Sequence, residues 1–384
     1  MIDCLYSPTG TKRVLFGFLA FVFSVSFLFG TSVPAVEAYG EETFRARITS
    51  IEEGKCKDYS PEEYPESEGN CVKVTLIPVS EEDGNELFEI IEDVTYDSVF
   101  AAQGYKKGDI VFVTQMDAGE NTVFSIVEID RASGLIPLAI VFLIVVLVVA
   151  RVRGATSLLG LGISIFAIFG LLVPIILKGK DPLIFGGLIA LAILVASIYL
   201  SHGFNRKSTL ALLGITMAIV LTLIIALIFS SLTRISGYGS EEAFFLVEST
   251  GIQLSMSKVF IASIILGTVG ILDDVAVNQV GFIRELKKEN PSLDAKELFS
   301  KSMALGRDHI ASMINTLFLV YAGASLPLVL LFKLNGVVFG EIIHYEQFAE
   351  EIVRTIVGSI GLVLAVPITA FIASESYAKK PPEE

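Results

Sequence analysis

Gly267-Thr-Val-Gly-Ile-Leu-Asp273-Asp274-Val-Ala-Val-Asn278 sets two adjacent carboxylates inside an apolar segment, and Gly306-Arg307-Asp308 leads into another such segment about thirty residues later. A stretch from 259 to 280 is long enough to cross a hydrocarbon core of about 30 Å as a helix. A carboxylate placed there costs about 2.5 to 3.5 kcal/mol, so it is usually retained for what it does.

The rest of the chain agrees with that reading. Its 384 residues are 53% hydrophobic with a mean hydropathy of +0.68, more than one soluble core would need. Seven apolar runs follow residue 130, near 135–150, 156–177, 182–201, 208–230, 259–280, 310–332 and 352–373. An eighth, Val14 to Gly30, follows Lys12 and Arg13 and precedes Val36-Glu37-Ala38, which has signal-peptidase spacing. It reads either as a cleaved signal peptide or as an anchor helix, and both export what comes next. The expected fold is an α-helical membrane bundle of seven spans plus that N-terminal helix, carrying a small exported β-rich domain. The boundaries are 1–38 for the signal or anchor, 39–133 for the exported domain, 134–375 for the membrane domain and 376–384 for a cytoplasmic tail.

Basic residues orient the chain, because Lys and Arg near helix ends favour the cytoplasmic side. Lys12 and Arg13, Arg151 and Arg153, Arg206 and Lys207, the stretch from Arg284 to Arg307, and Lys379 with Lys380 fall on one side if the spans alternate. Only Lys178 and Lys180 run against the pattern. A plasma-membrane protein with an extracytoplasmic N-terminal domain and a cytoplasmic C-terminus is expected.

The segment 31–133 holds 23 acidic and 8 basic side chains, which accounts for the whole net charge of −14 within one residue. Nucleic-acid binding calls for a basic patch and is excluded. Short alternating or β-branched runs, such as Thr43 to Ile51, Val72 to Val79 and Val123 to Ile129, predict a small β-barrel or sandwich. That domain is the expected surface for a protein partner, as the bilayer is for the helices; the sequence leaves the oligomeric state open. Cys56 and Cys71 flank a loop in this domain and form a candidate disulfide, with no nearby histidine to make a zinc site.

At helical spacing Ser263, Gly267, Gly270, Asp274 and Asn278 share one face, which is expected to be buried against a neighbouring helix. Asp273 projects about 100° away. Asp274 lies about 15 Å from Arg284, the first cytoplasmic charge after it, and Asn315 about 12 Å beyond Arg307 on the next span, so antiparallel neighbours bring the two to similar depth. Asp308, Ser312, Asn315 and Thr316 form a polar stripe on that second helix. The candidate proton or ion ligands are therefore Asp274, Asn278, Asn315 and Thr316, supported by Asp273, Arg307, Asp308 and Ser312. A simpler reading has Asp274 pairing with Arg307, or hydrogen-bonding Asn315 and Thr316, to fix packing. His202 and His309 read as interfacial.

Other chemistry finds no foothold. There is no P-loop, no HExxH and no paired CxxC, so neither a cofactor nor a metal nor an enzymatic reaction is expected. An intramembrane aspartyl protease built on Asp274 and Asp308 is disfavoured by their depth difference of about 10 to 15 Å.

Gly270-Ile-Leu-Asp-Asp274-Val-Ala276, Gly306-Arg307-Asp308, Asn315-Thr316-Leu317 and Tyr321-Ala-Gly323 resemble the signature of the YibE/F-like bacterial membrane proteins over roughly 130–375. The resemblance implies a multi-pass plasma-membrane protein with an exported N-terminal region, and no established activity. Asp274 matches the signature Asp, whereas Asp273 and His309 stand where an apolar residue is more usual and Lys301-Ser302 where Ser-Gly is common. A fainter likeness, over about sixty residues, is to the helix pair that carries proton coupling in RND and SecDF exporters. The expected function is a transport or export component using Asp274, and the alternative is a non-enzymatic scaffold or accessory subunit whose exported domain binds a partner.

Overall fold

A computed structural model describes residues 42–56, 70–79, 87–93, 104–117, 122–251 and 253–380. The expected N-terminal signal or anchor helix lies outside them. By internal packing the chain divides between Val149 and Ala150 into two compact units.

The first unit contains five antiparallel strands, β1 (Glu42–Lys55), β2 (Asn70–Pro78), β3 (Phe88–Asp93), β4 (Ile110–Asp117) and β5 (Thr122–Ile129), in the order β3-β2-β1-β4-β5. Alternation along them puts Ala46, Ile48, Val74, Leu76, Val111 and Val113 on one fully buried face. A register shift between Ile48 and Ser50 bends β1. The sheet curls until Phe88 on one edge strand and Phe124 on the other stand 4.9 Å apart, with Phe44 against both. That partial closure shields strand edges. Gly104 and Gly108 take φ of 62° and 98° in the turn before β4, a conformation open to glycine, and Asp109 accepts from the Lys106 N–H at 2.8 Å. Cys56 and Cys71 are disulfide-bonded with Cα atoms 4.7 Å apart, at the end of the β1–β2 pair.

The helices are α1 (Ala132–Phe166), a π-helical turn (Ala167–Leu172), α2 (Val173–Leu177), α3 (Pro182–His202), α4 (Arg206–Leu232), α5 (Glu241–Thr250), α6 (Met256–Glu289), α7 (Ala295–Ala324), α8 (Leu326–Leu334), α9 (Phe339–Ile342) and α10 (Glu346–Lys379). Among the described residues five helical stretches are long and apolar enough to cross a membrane, or six if α7 and α8, bent by 55°, count as one. Pro327 in the first turn of α8 explains that bend, since its ring cannot continue the preceding helix. The expected spans 135–150 and 156–177 both fall in the stretch Ala132–Leu177, which consists of two helices meeting at a kink at Arg151 (φ 52°, ψ −129°) and a π-helical turn further on. At the C-terminal end α10 continues to Lys379.

In the second unit α6 and α10 pack at the centre, α4 lies against both, α3 covers α6 and α7 rests mainly on α10. Leu194, Ile198, Ile215, Leu272, Ile283 and Leu362 are almost fully buried there. Small residues permit the closest crossings: a Cβ on Gly186 would sit 2.8 Å from Ala262 Cβ, and one on Gly361 would sit 2.4 Å from Thr222 Oγ1.

Both ends of the bundle are tied. At one end the Arg206 guanidinium donates to the Ser376 carbonyl (2.5 Å) and hydroxyl (2.8 Å) and lies over the Tyr377 ring. Beside it, the buried Lys287 ammonium donates to the carbonyls of Pro291 and Leu293, both at 2.7 Å, and so closes the α6–α7 turn. At the other end Glu346 accepts from the N–H groups of Ser236 and Gly237 at 2.6 and 2.9 Å. Glu350 accepts from Gly239 N–H at 3.1 Å. After Gly237 the chain forms α5, capped by Ser240, and the acidic stretch 341–351 divides between α9 and the first turns of α10.

Candidate functional site

α6 carries the two carboxylates in different directions. Asp273 points towards α3, where Ser197 Oγ donates to its Oδ2 at 2.8 Å. Its other oxygen, Oδ1, is buried with no hydrogen-bond partner among the described residues. His202, the last residue of α3, lies within Coulombic reach of both Asp273 and Asp274. Ser197, His202 and the Asp pair therefore form one polar cluster, with Lys207 and Arg153 also within Coulombic reach of His202.

Asp274 is exposed, as are Gly267, Gly270 and Asn278. The expected burial of this face is not met at these four positions: among the described residues no helix covers them, because α7 leans on α10 and touches α6 far less. Asp274 makes no hydrogen bond or ion pair among the described residues, so the expected pairing with Arg307, Asn315 or Thr316 is absent. Arg307, Asp308, His309, Ser312, Asn315 and Thr316 are likewise exposed. Thr316 Oγ1 returns to its own helix, donating to the Ser312 carbonyl at 3.1 Å.

Two contacts fix the register between α6 and α7. A Cβ on Gly306 would lie 3.4 Å from Gln279 Oε1, and one on Gly267 would lie 3.8 Å from Tyr321 Oη. Interpolation along the antiparallel pair sets Asp274 level with Ser312, with Asn315 less than one turn beyond. Near the α6–α7 turn, Asn278 and His309 line a cleft of about 30 Å³ with Val275, Gln279, Leu305 and Val366, room for about one or two waters. Gly306 has a packing role here, since a Cβ would sit 2.6 Å from Val366 Cγ1.

A second polar group lies higher on the same α6 face, about 16 Å from Asp274 along the helix. Arg354 on α10 donates to Ser263 Oγ at 2.6 Å, lies over the Phe260 ring at 5.2 Å and has Glu351 Oε1 3.4 Å from its Nε.

The sequence reading missed Ser197 and Arg354 and took His202 as merely interfacial. Ser197 is a lone hydroxyl in an apolar helix, and Arg354 immediately follows an acidic run, so neither stands out without its spatial partner. No group of three or more His, Cys, Asp or Glu residues able to hold a metal occurs among the described residues.

The YibE/F-like family matches residues 138–379, well over half of the chain. The chain belongs to that family. No curated protein and no solved structure matches it. The match spans α3, α4, α6, α7 and α10, so every residue of the two polar groups falls within the YibE/F-like region. With its long apolar helices, this YibE/F-like chain is a membrane protein.

Proposed function

We propose that this protein is a membrane transport or export component in which the Asp273–Asp274 pair takes up and releases a proton or a cation. The observation that carries the reading is the carboxylate of Asp273, held by Ser197 on one oxygen and left with a buried, unmatched oxygen on the other. A buried polar atom without a partner calls for one, and a proton or a small cation supplies it. Asp274, one residue on, adds a second charge that makes simultaneous ionisation of both costly. Binding at this point is coupled to packing, because Asp273 bridges α6 to α3 through Ser197.

The basic residues around Arg206, Lys207 and Arg284 support placing this end of the bundle at the cytoplasmic face of the plasma membrane, with the β-rich unit outside. No covalent step and no cofactor is required of such a site.

The test is proton movement in liposomes containing the purified protein, with a pH gradient imposed and internal pH followed by a trapped dye. Wild-type protein dissipates the gradient, whereas Asp273→Asn and Asp274→Asn insert normally and do not. Unchanged proton movement in both variants would sink the proposal. The accessory-subunit reading, supported by the separate compact β-unit, predicts the reverse: both variants tolerated, and function lost on deleting 40–130.

A further inference from the structure

We infer that the exposed face of α6 and α7 is the contact surface for a second copy of this chain, and that this contact completes the surroundings of Asp274. The inference goes beyond the transport reading and needs only that the helices lie in a bilayer.

Four kinds of observation converge on it. Asp274 and Asn278 are exposed on α6, a helix long and apolar enough to cross a membrane, and Ser312 and Asn315 are exposed on α7, which meets that test together with α8 across the 55° bend. Facing lipid, a carboxylate costs about 2.5 to 3.5 kcal/mol, and intramembrane charges almost always face protein or a wet cavity instead. Glycine spacing supplies the second. Gly186, Gly214, Gly306 and Gly361 each have a neighbour within 2.3 to 2.8 Å of where a Cβ would be, which explains them inside one chain. Gly270 and Gly323 have nothing within 4 Å, and Gly267 only the Tyr321 hydroxyl at 3.8 Å. Glycines without an internal reason, lined up beside unpaired polar groups, suit the close approach of another helix.

The third is chemical. The apolar segments 14–30 and 135–150 offer only Ser24 and Ser26 as polar side chains, too little to satisfy a carboxylate and two carboxamides. The α6–α7 face itself carries what is needed: Arg307 opposite in sign to Asp274 and Asp308, with Asn278, Ser312 and Asn315 able both to donate and to accept. A face that is its own complement suits a two-fold dimer. The fourth is depth. A two-fold axis along the membrane normal brings residues of equal depth together, and Asp274 is level with Ser312, so each Asp274 meets the α7 hydroxyl and carboxamide of the partner subunit.

Single cysteines test this in membranes, in a Cys4→Ser background that keeps the Cys56–Cys71 bond. Under mild oxidation Ser312→Cys and Asn315→Cys give a disulfide-linked species of twice the monomer mass. Leu188→Cys, 58% exposed on α3, stays monomeric. Co-expression of two differently tagged copies adds a second measure, in which wild-type chains co-purify and Arg307→Ala reduces the yield several-fold. Monomers at every α7 position, linkage to a species of another mass, or equal linkage at Leu188→Cys would overturn the inference. The proton-movement assay is independent of these readouts, so failure of one proposal is distinguishable from failure of the other.

Discussion

Ser197 Oγ donates to Asp273 Oδ2 at 2.8 Å across the α3–α6 interface, and it is the only hydrogen bond that the Asp273 carboxylate receives among the described residues. The hydroxyl therefore stabilises a charge that the fold otherwise leaves unmatched. Ser197→Ala is expected to lower stability by about 1.5 to 3 kcal/mol, the range for a hydrogen bond to a charged group. In an Asp273→Asn background the same change costs about 1 kcal/mol or less, because the charge is gone. A double-mutant cycle on denaturant or thermal unfolding in detergent measures the difference, and equal costs in the two backgrounds would show that the pair is not coupled.

Much of the bundle was legible in the sequence, since hydropathy alone marks α3 and α4 to within about two residues at each end and the apolar middle of the longer α6 and α10. Helical spacing also separated Asp273 from Asp274 correctly in direction. It could not say which direction held a neighbour. The stripe Gly267, Gly270, Asp274 and Asn278 looked like a packing face, yet α7 settles on α10 through Gly306 and Val366 and leaves that stripe open. Asp273, read as a supporting residue, is the carboxylate that finds a partner. Its partner Ser197 lies 76 residues away in sequence, and no local pattern announces it.

The disulfide makes a prediction about the β-rich unit alone. Cys56 and Cys71 are 15 residues apart, and cross-linking a loop of that length contributes about 3 kcal/mol by restricting the unfolded chain. Cys71→Ser is expected to lower the unfolding midpoint of the β-unit and leave that of the helical unit unchanged. Proteolysis at 57–69, followed by mass spectrometry, checks the first. Helical circular dichroism on heating checks the second.

Asp181 joins two roles at the start of α3. Its carboxylate accepts from the N–H groups of Leu183 (3.0 Å) and Ile184 (3.2 Å) as the helix N-cap, and it pairs with Lys258 on α6. The hydrogen bond from Lys258 holds its pKa below the usual carboxylate range, burial opposes this, and the two backbone donors add to the lowering. A depressed carboxylate stabilises the fold above its unfolded pKa, and that contribution is lost as pH falls through the folded value. Asp181→Ala should cost about 1 kcal/mol at neutral pH from the cap, with little from the solvent-screened pair. As pH falls through the folded pKa, which lies below the usual carboxylate range, wild type loses the same interaction and the gap between the two proteins should close. Thermal midpoints of both across pH 7 to 3 check the sign, and a gap that widens towards acid would contradict it.

Gly214 and Gly270 are both glycines within long apolar helices, and the structure assigns them opposite sensitivities. A Cβ on Gly214 would lie 2.3 Å from Thr369 Oγ1 and 3.0 Å from Thr369 Cα, so α4 and α10 must separate to admit it. Thr369 Oγ1 is already buried without a partner, which leaves no alternative hydrogen bond to offset the displacement. Gly214→Ala is therefore expected to cost about 1 to 3 kcal/mol, as overpacking does. A Cβ on Gly270 meets nothing within 4 Å of its own chain, so Gly270→Ala should leave the monomer as stable as wild type or slightly more so, given alanine's better helix propensity. Gly270→Leu, which projects further, should spare monomer stability and act only on association between chains. Unfolding midpoints at low protein concentration read the first effect and co-purification of tagged copies reads the second; a Gly270→Ala variant as damaged as Gly214→Ala would show that the α6 face is covered from within the chain.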